Sequence, residues 1–275
     1  MLVCASRWGD FIMIGTNLLG DLVRSTVLST KVVCDNICPP SLFLVAPFES
    51  GKTSIAIANA GEDPLVVSDM TGMGLLETLL QNQKATTVVV NDLAAVTGHR
   101  GSVSKLTIAI LNGLAEEGVY KIAVPKLSYL DLKGRKVNVI ACCVPDLVGD
   151  HRSWWHKSGF MSRMLVISFR HSFELRMQIH QAILNGNQDV RQGTLHIPDI
   201  PVHVTIDKEM ATHIFACEEL IAGKLSELGY RKHKQIRGLV AGHALLRGWK
   251  GAKVEQQDID FLHKIIPYIV GEQLI

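Results

Sequence analysis

Gly51-Lys52-Thr53 is the triplet with the most specific chemistry in this chain. It closes the segment Ala46-Pro47-Phe48-Glu49-Ser50-Gly51-Lys52-Thr53. The apolar run Ser41-Leu-Phe-Leu-Val45 precedes it and Ser54-Ile-Ala-Ile-Ala58 follows, so strand, tight loop and helix are expected in that order. The spacing is that of G-x-x-x-x-G-K-[ST], in which backbone N–H groups wrap phosphates, the lysine reaches the outer phosphates and the hydroxyl holds Mg²⁺. Nucleotide binding is expected from Pro47, Phe48, Glu49, Ser50, Gly51, Lys52, Thr53 and Ser54. Ala46 stands where the motif has its first glycine, and alanine tolerates a positive φ poorly. Either the loop takes a different first dihedral there, or the match is a chance one in an ordinary turn.

A phosphate loop needs a carboxylate at a nearby strand tip to organise Mg²⁺ and water. Thr86-Thr-Val-Val-Val90 ends in Asn91-Asp92, and Asp92 is the expected metal ligand beside Thr53 and the expected catalytic carboxylate beside Lys52. Asn91 can hold a water but cannot act as a base. Ser68-Asp69-Met-Thr71-Gly72 lies at another strand end, where Thr71 or Asp69 is expected mainly as a helix cap. Arg163 directly precedes a core strand. It is either solvated, paired with a carboxylate, or an arginine that one subunit offers to another subunit's phosphate. Trp154 and Trp155, expected in a loop, either stack a base or pack beneath a hairpin.

The elements that must position these groups are legible as periodic runs. Residues 17–33 read as an amphipathic helix, stopped by Pro39-Pro40 before the first core strand. Further strands are expected at 65–68, 86–90, 137–143 and 164–168, with helices at 73–82 and 103–116 between the first of them. Strands alternating with helices imply a parallel sheet covered on both faces. Tyr120–Val124 and Leu130–Leu132 flank a polar turn, Lys133-Gly134-Arg135, and read as a hairpin spanning 119–136. Beyond about residue 170 the pattern is helical, at 171–185, 207–228, 231–247 and 255–269, with an irregular connector at 186–204. A core at 1–170 and a helical domain at 171–275 are expected.

With 47% hydrophobic and 20% charged residues the chain reads as globular. Its 28 Lys and Arg against 26 Asp and Glu leave a net charge of +2, too small to imply a nucleic-acid surface without a local basic patch. Six scattered cysteines adjoin apolar stretches, which suits a reducing, cytoplasmic compartment. No stretch reaches the ~18 uninterrupted apolar residues of a membrane span, and the N-terminus is not a convincing signal peptide.

Over roughly residues 17 to 270 this arrangement resembles the AAA+ class of P-loop ATPases, and more narrowly those of phage or mobile-element replication modules. The resemblance implies ATP as ligand with Mg²⁺, a parallel P-loop sheet flanked by helices, a β-hairpin insertion and a smaller helical lid. Residues 46–53 would be Walker A, and Val88-Val-Val-Asn91-Asp92 would be Walker B, where the family's usual pair is Asp-Glu. If Asn91 takes the Mg²⁺-organising position, hydrolysis is slow or absent; if Asp92 does, the catalytic carboxylate comes from elsewhere. The strand ending Cys142-Cys143-Val144-Pro145-Asp146 resembles the sensor-1 strand without its usual Asn or Thr. Gly159–Arg163 is similar to the arginine-finger region. Arg237 matches the sensor-2 position, or is a surface arginine beside Arg231-Lys-His-Lys234.

The hairpin at 119–136, basic through Lys121, Lys126, Lys133, Arg135 and Lys136 with Tyr120 and Tyr129, resembles insertions that contact DNA. Lysines on an exposed hairpin also block edge-to-edge aggregation. The implied function is an oligomeric ATPase, ring or filament, that hydrolyses ATP to ADP and phosphate while translocating on or remodelling DNA in the cytoplasm of a cell, with a viral or plasmid origin open. The alternatives are a nucleotide-gated loader or assembly factor with little turnover, and a small-molecule kinase of P-loop architecture.

Overall fold

A computed structural model describes residues 17–98, 101–124, 127–184, 195–222 and 229–270. The chain runs α1 (Asn17–Ser29), β1 (Val32–Val33), β2 (Ser41–Val45), α2 (Lys52–Asn59), β3 (Leu65–Val67), α3 (Gly72–Gln81) and β4 (Thr87–Val90). It continues through α4 (Leu93–Thr97), α5 (Gly101–Asn112), a π-helical turn (Gly113–Glu117), β5 (Val119–Val124), β6 (Leu127–Arg135) and β7 (Asn138–Cys143). Then come α6 (Pro145–Lys157), α7 (Phe160–Arg163), β8 (Met164–Ser168), α8 (Phe173–Leu184), β9 (Val202–His203), α9 (Lys208–Ala222), α10 (Tyr230–Arg247) and α11 (Gln256–Ile265).

Five strands form one parallel sheet in the order β3-β4-β7-β2-β8. Every residue of β2, β4 and β7 is buried, which is why these strands read as unbroken apolar runs rather than alternating ones. Successive residues still point to opposite faces. Leu42, Leu44, Ile140, Cys142, Leu165 and Ile167 join one apolar cluster, while Phe43, Val45, Val139, Ala141, Cys143 and Val166 join the other. The first cluster is covered by α1, α2 and α9–α11, the second by α3, α5, α6 and α7. The first therefore draws on residues from both sides of position 170: Leu22 and Val27 of α1 share one core with Leu239 and Val240 of α10.

Four expectations change. The helix expected over 17–33 ends at Ser29, and Val32–Val33 instead pairs in parallel with Val202–His203, inside the stretch expected to be an irregular connector. The strand carrying Asn91-Asp92 is not beside the loop strand, because β7 lies between β4 and β2. Trp154 and Trp155 sit in α6 rather than a loop. Trp155 is fully buried edge-on to Phe43 of β2, ring centroids 5.6 Å apart, so it packs under the sheet and not beneath the hairpin.

The fourth change concerns the hairpin. β5 and β6 pair antiparallel from Val119↔Arg135 to Val124↔Leu127, so Lys133-Gly134 is not the junction of the two strands. Lys133-Gly134 is an irregularity within β6: both have positive φ, and the Asp131 carboxylate accepts from the Lys133 N–H at 2.9 Å. Two extra residues on β6 between Val119↔Arg135 and Lys121↔Asp131 mark a bulge, which a turn signal in sequence imitates.

Candidate nucleotide site

The strand, loop and helix expected around the motif are β2, residues 46–51 and α2, and the left-handed residues of the loop lie at other positions than the motif suggests. Ala46 is fully buried and is not among the positive-φ residues, so alanine costs nothing there. Glu49 carries φ 59° instead, and Gly51, at φ 73°, opens α2 as its N-cap. Ile55 N–H donates to Gly51 O at 2.8 Å, which leaves the first-turn N–H groups of α2 directed at the loop, where helix geometry favours an anion. Lys52 Nζ donates to Pro47 O at 3.3 Å across the loop and lies 5.9 Å from the centroid of the exposed Phe48 ring. The Ser50 hydroxyl is buried inside the same loop without a partner among the described residues.

The tip of β7 joins the two halves of the site. Val45 is paired with Cys143, and Val90 with Ala141, so Asp92 is level with the start of the loop and about two strand spacings, ~10 Å, from it. Lys52 and Asp92 both act electrostatically on Cys142 and Cys143. Burial pushes both thiols up to about 12, so neither is a thiolate at neutral pH, and the Thr53 side chain hydrogen-bonds Cys142. Asp92 is exposed, and its Oδ1 accepts from the Ala94 N–H at 2.9 Å as the N-cap of α4. Asn91 Nδ2 donates to the Ser68 hydroxyl at 3.1 Å, leaving its buried Oδ1 unpartnered. Thr71 accepts from the Gly74 N–H at 3.2 Å and caps α3.

Sequence inspection missed the other wall of the site. Arg170, His171, Arg176 and Ile179 line a cavity of about 450 Å³ together with Pro47, Phe48, Glu49 and Ser50. His171 Nε2 donates to Ser50 O at 2.7 Å, tying the segment after β8 to the loop. The signal was positional: Arg170 and His171 follow the carboxyl end of a core strand, where parallel sheets collect ligands. Two guanidinium groups therefore line the same cavity as residues 47–50 of the loop.

Arg163 and Arg237 are at the other end of the sheet. Ser41 is paired with Met164, so Arg163 is level with Pro40, roughly 20 Å along the strands from the loop. Its Nε lies 2.9 Å from Glu116 Oε2 as an ion pair without an aligned hydrogen bond, and its Nη2 donates to Glu117 Oε1 at 3.3 Å. Arg231 shares Glu116 and donates to the Ser162 hydroxyl at 3.1 Å. On α10, Gln235 donates to Arg163 O at 2.7 Å and Gly238 packs on the Cys38 carbonyl just before β2. Arg237, between them, acts on Cys34 and Glu218, and its buried Nε has no partner among the described residues. The fold puts Lys52, Thr53 and Asp92 at one end of the sheet, with Asp92 across β7 from the loop, and keeps Arg163 and Arg237 toward the other end.

In the hairpin, Arg135 is consumed by main chain: it donates to Leu79 O and, at 2.7 Å each, to Asn82 O and Ala85 O, closing the C-terminal end of α3. Lys133 and Lys136 are exposed, as is Tyr120. Lys126 and the Tyr129 side chain lie outside the described residues. No described helix is long and apolar enough to cross a membrane. No family model matches the chain, and no curated protein matches it.

Proposed function

We propose that this chain is an oligomeric, DNA-associated ATPase of AAA+ type. The observation that carries the nucleotide part is the loop itself: left-handed Glu49 and Gly51 turn the chain into the N-terminus of α2, with Lys52 folded across it and an unpartnered Ser50 hydroxyl within. Phosphate oxygens supply the acceptors that Ser50 and the α2 N–H groups lack. The Thr53 hydroxyl and the Asp92 carboxylate are oxygen donors suited to Mg²⁺, which would neutralise charge on the phosphates when bound. Lys52 holds the outer phosphates, and Arg170 and Arg176 screen the polyanion from the α8 side.

Arg163 reaches no phosphate of its own chain, so its role is toward a neighbouring subunit's nucleotide, and Arg237 shares that face. Oligomerisation would thus complete the site. DNA contact is assigned to hairpin 119–136 through Lys133 and Lys136, with Arg135 holding the hairpin on α3.

The nucleotide-gated loader or assembly factor with little turnover remains the second reading, and one observation favours it. Asp92 Oδ1 caps α4 and Asn91 beside it is amidic, so with Asp92 serving the metal the Asn91-Asp92 pair holds no second carboxylate to activate a water. Steady-state ATP hydrolysis, with and without single- and double-stranded DNA and with Lys52→Ala as control, separates the two. DNA-stimulated turnover lost in Lys52→Ala supports the ATPase; tight ATP binding without turnover supports the loader; no ATP binding overturns both.

A further inference from the structure

Remote from the loop, α5 and α6 enclose a groove of about 290 Å³ lined by Lys105, Ile108, Ala109 and Asn112 on one side and Trp154, Lys157 and Ser158 on the other. Each set follows helical spacing, so each is one face of its helix. Asn112 is only 9% exposed, and its Nδ2 donates to Ser158 O at 2.9 Å. A carbonyl accepts and cannot donate, which fixes the orientation of the amide. Asn112 Oδ1 is thereby left as a buried acceptor with no partner among the described residues. Such a group is costly to bury unless something donates to it. Trp154 is half-buried beside it, while Lys105 and Lys157 are exposed and pair with no carboxylate among the described residues.

A half-buried indole, an orphan acceptor and two ammonium groups that meet no described carboxylate are complementary to a flat ring bearing an N–H donor and an attached anion. We propose that this groove binds one nucleotide unit, its base against Trp154 and Asn112 and its phosphate against Lys105 and Lys157. Every nucleobase carries an N–H on its pairing edge, and that edge is free only when the strand is single. The groove therefore takes a nucleotide of a single strand, or a free nucleotide, and rejects duplex. Stacking on one tryptophan is sequence-tolerant, so the site does not read sequence.

The groove shares no residue with the phosphate loop or the hairpin, so its test is independent of the ATPase reading. Fluorescence anisotropy of the full chain, without ATP, compares labelled oligo(dT) with a strand of equal length made of abasic units, which keeps the phosphates and lacks the bases. The wild type should prefer the intact strand by about tenfold, and Trp154→Ala should abolish that preference. The surface double variant Lys105→Ala/Lys157→Ala should keep the preference while flattening the salt dependence by about 1.4 in log–log slope, at ~0.7 per phosphate contact. Unlabelled dTMP that quenches tryptophan fluorescence in the wild type but less in Trp154→Ala assigns the groove to the free nucleotide; base preference without dTMP binding assigns it to a strand. Base preference that survives Trp154→Ala, or no preference together with no Trp154-dependent dTMP quenching, overturns the proposal. Thermal melts of both variants check that each is folded.

Discussion

Arg163 and Glu116 form an ion pair, Nε to Oε2 at 2.9 Å, at the end of the sheet opposite Lys52. Glu116 lies in the π-helical turn that leads directly into β5, so the base of the hairpin and the proposed finger are joined through one carboxylate. If Arg163 serves a neighbour, Arg163→Ala and Lys52→Ala should each abolish turnover, by about 10³-fold or more for the arginine. Mixing the two inactive variants should restore a measurable part of the activity, because some interfaces then pair an intact Lys52 with an intact Arg163. No recovery on mixing, with oligomers still forming, would remove the trans role.

Lys52→Ala should also report on binding alone. At ATP·Mg²⁺ about 100-fold above its dissociation constant, the wild type should gain about 2.7 kcal/mol of stability. The gain, read as a rise in Tm, should disappear in the variant. An equal rise in both would mean that the ligand sits elsewhere.

The basic residues of the hairpin divide into two kinds. Arg135→Met frees the Leu79, Asn82 and Ala85 carbonyls and should lower stability by about 1–3 kcal/mol with little effect on the salt dependence of DNA binding. Lys133→Ala/Lys136→Ala should do the reverse, leaving Tm unchanged and weakening DNA binding most at low salt. A shared phenotype would show that the hairpin acts as one electrostatic patch.

Gly242 of α10 lies against the Ser25 carbonyl and the Ser29 N–H of α1, and a Cβ there would enter that backbone. Gly242→Ala should destabilise the fold by about 1–3 kcal/mol through overpacking, seen as a lower midpoint in urea. A neutral effect would mean that α10 separates from α1 readily, as a mobile lid requires.

Asp258 gives the α10–α11 contact an acid limit. Burial works to raise its carboxyl, but hydrogen bonds from His243, Arg247 and the Glu255 N–H outweigh it and hold it below the ordinary aspartate value. The folded value therefore lies below that of the unfolded chain, about 3.9. Stability from this group is complete above that pH and is lost as pH falls through the folded value. Asp258→Asn should cost about 3 kcal/mol at pH 7, and the gap between variant and wild type should narrow below about pH 4. A gap independent of pH would assign the cost to packing.

Much of the fold was legible because parallel strands buried on both faces leave unbroken apolar runs, and all five core strands were placed within a residue or so. What misled was local chemistry that serves two structures. Lys133-Gly134 reads as a turn and is a bulge, since both need positive φ. Trp154-Trp155 reads as a single aromatic pair, yet adjacent helical positions diverge by about 100°, sending one ring into the core and the other to a groove.

The loop between β2 and α2 was legible along the chain, because a tight turn between a strand and a helix is built from consecutive residues and its dihedrals are local. Arg170, Arg176, Arg163 and Arg237 are different, since their positions depend on which strands are neighbours and at which end of the sheet each chain segment enters. Strand order and the packing of α10 on α1 come from contacts far apart along the chain. That Arg170 and Arg176 stand beside the loop while Arg163 lies roughly 20 Å along the strands from it, with Arg237 on the helix that packs there, is a consequence of the tertiary fold.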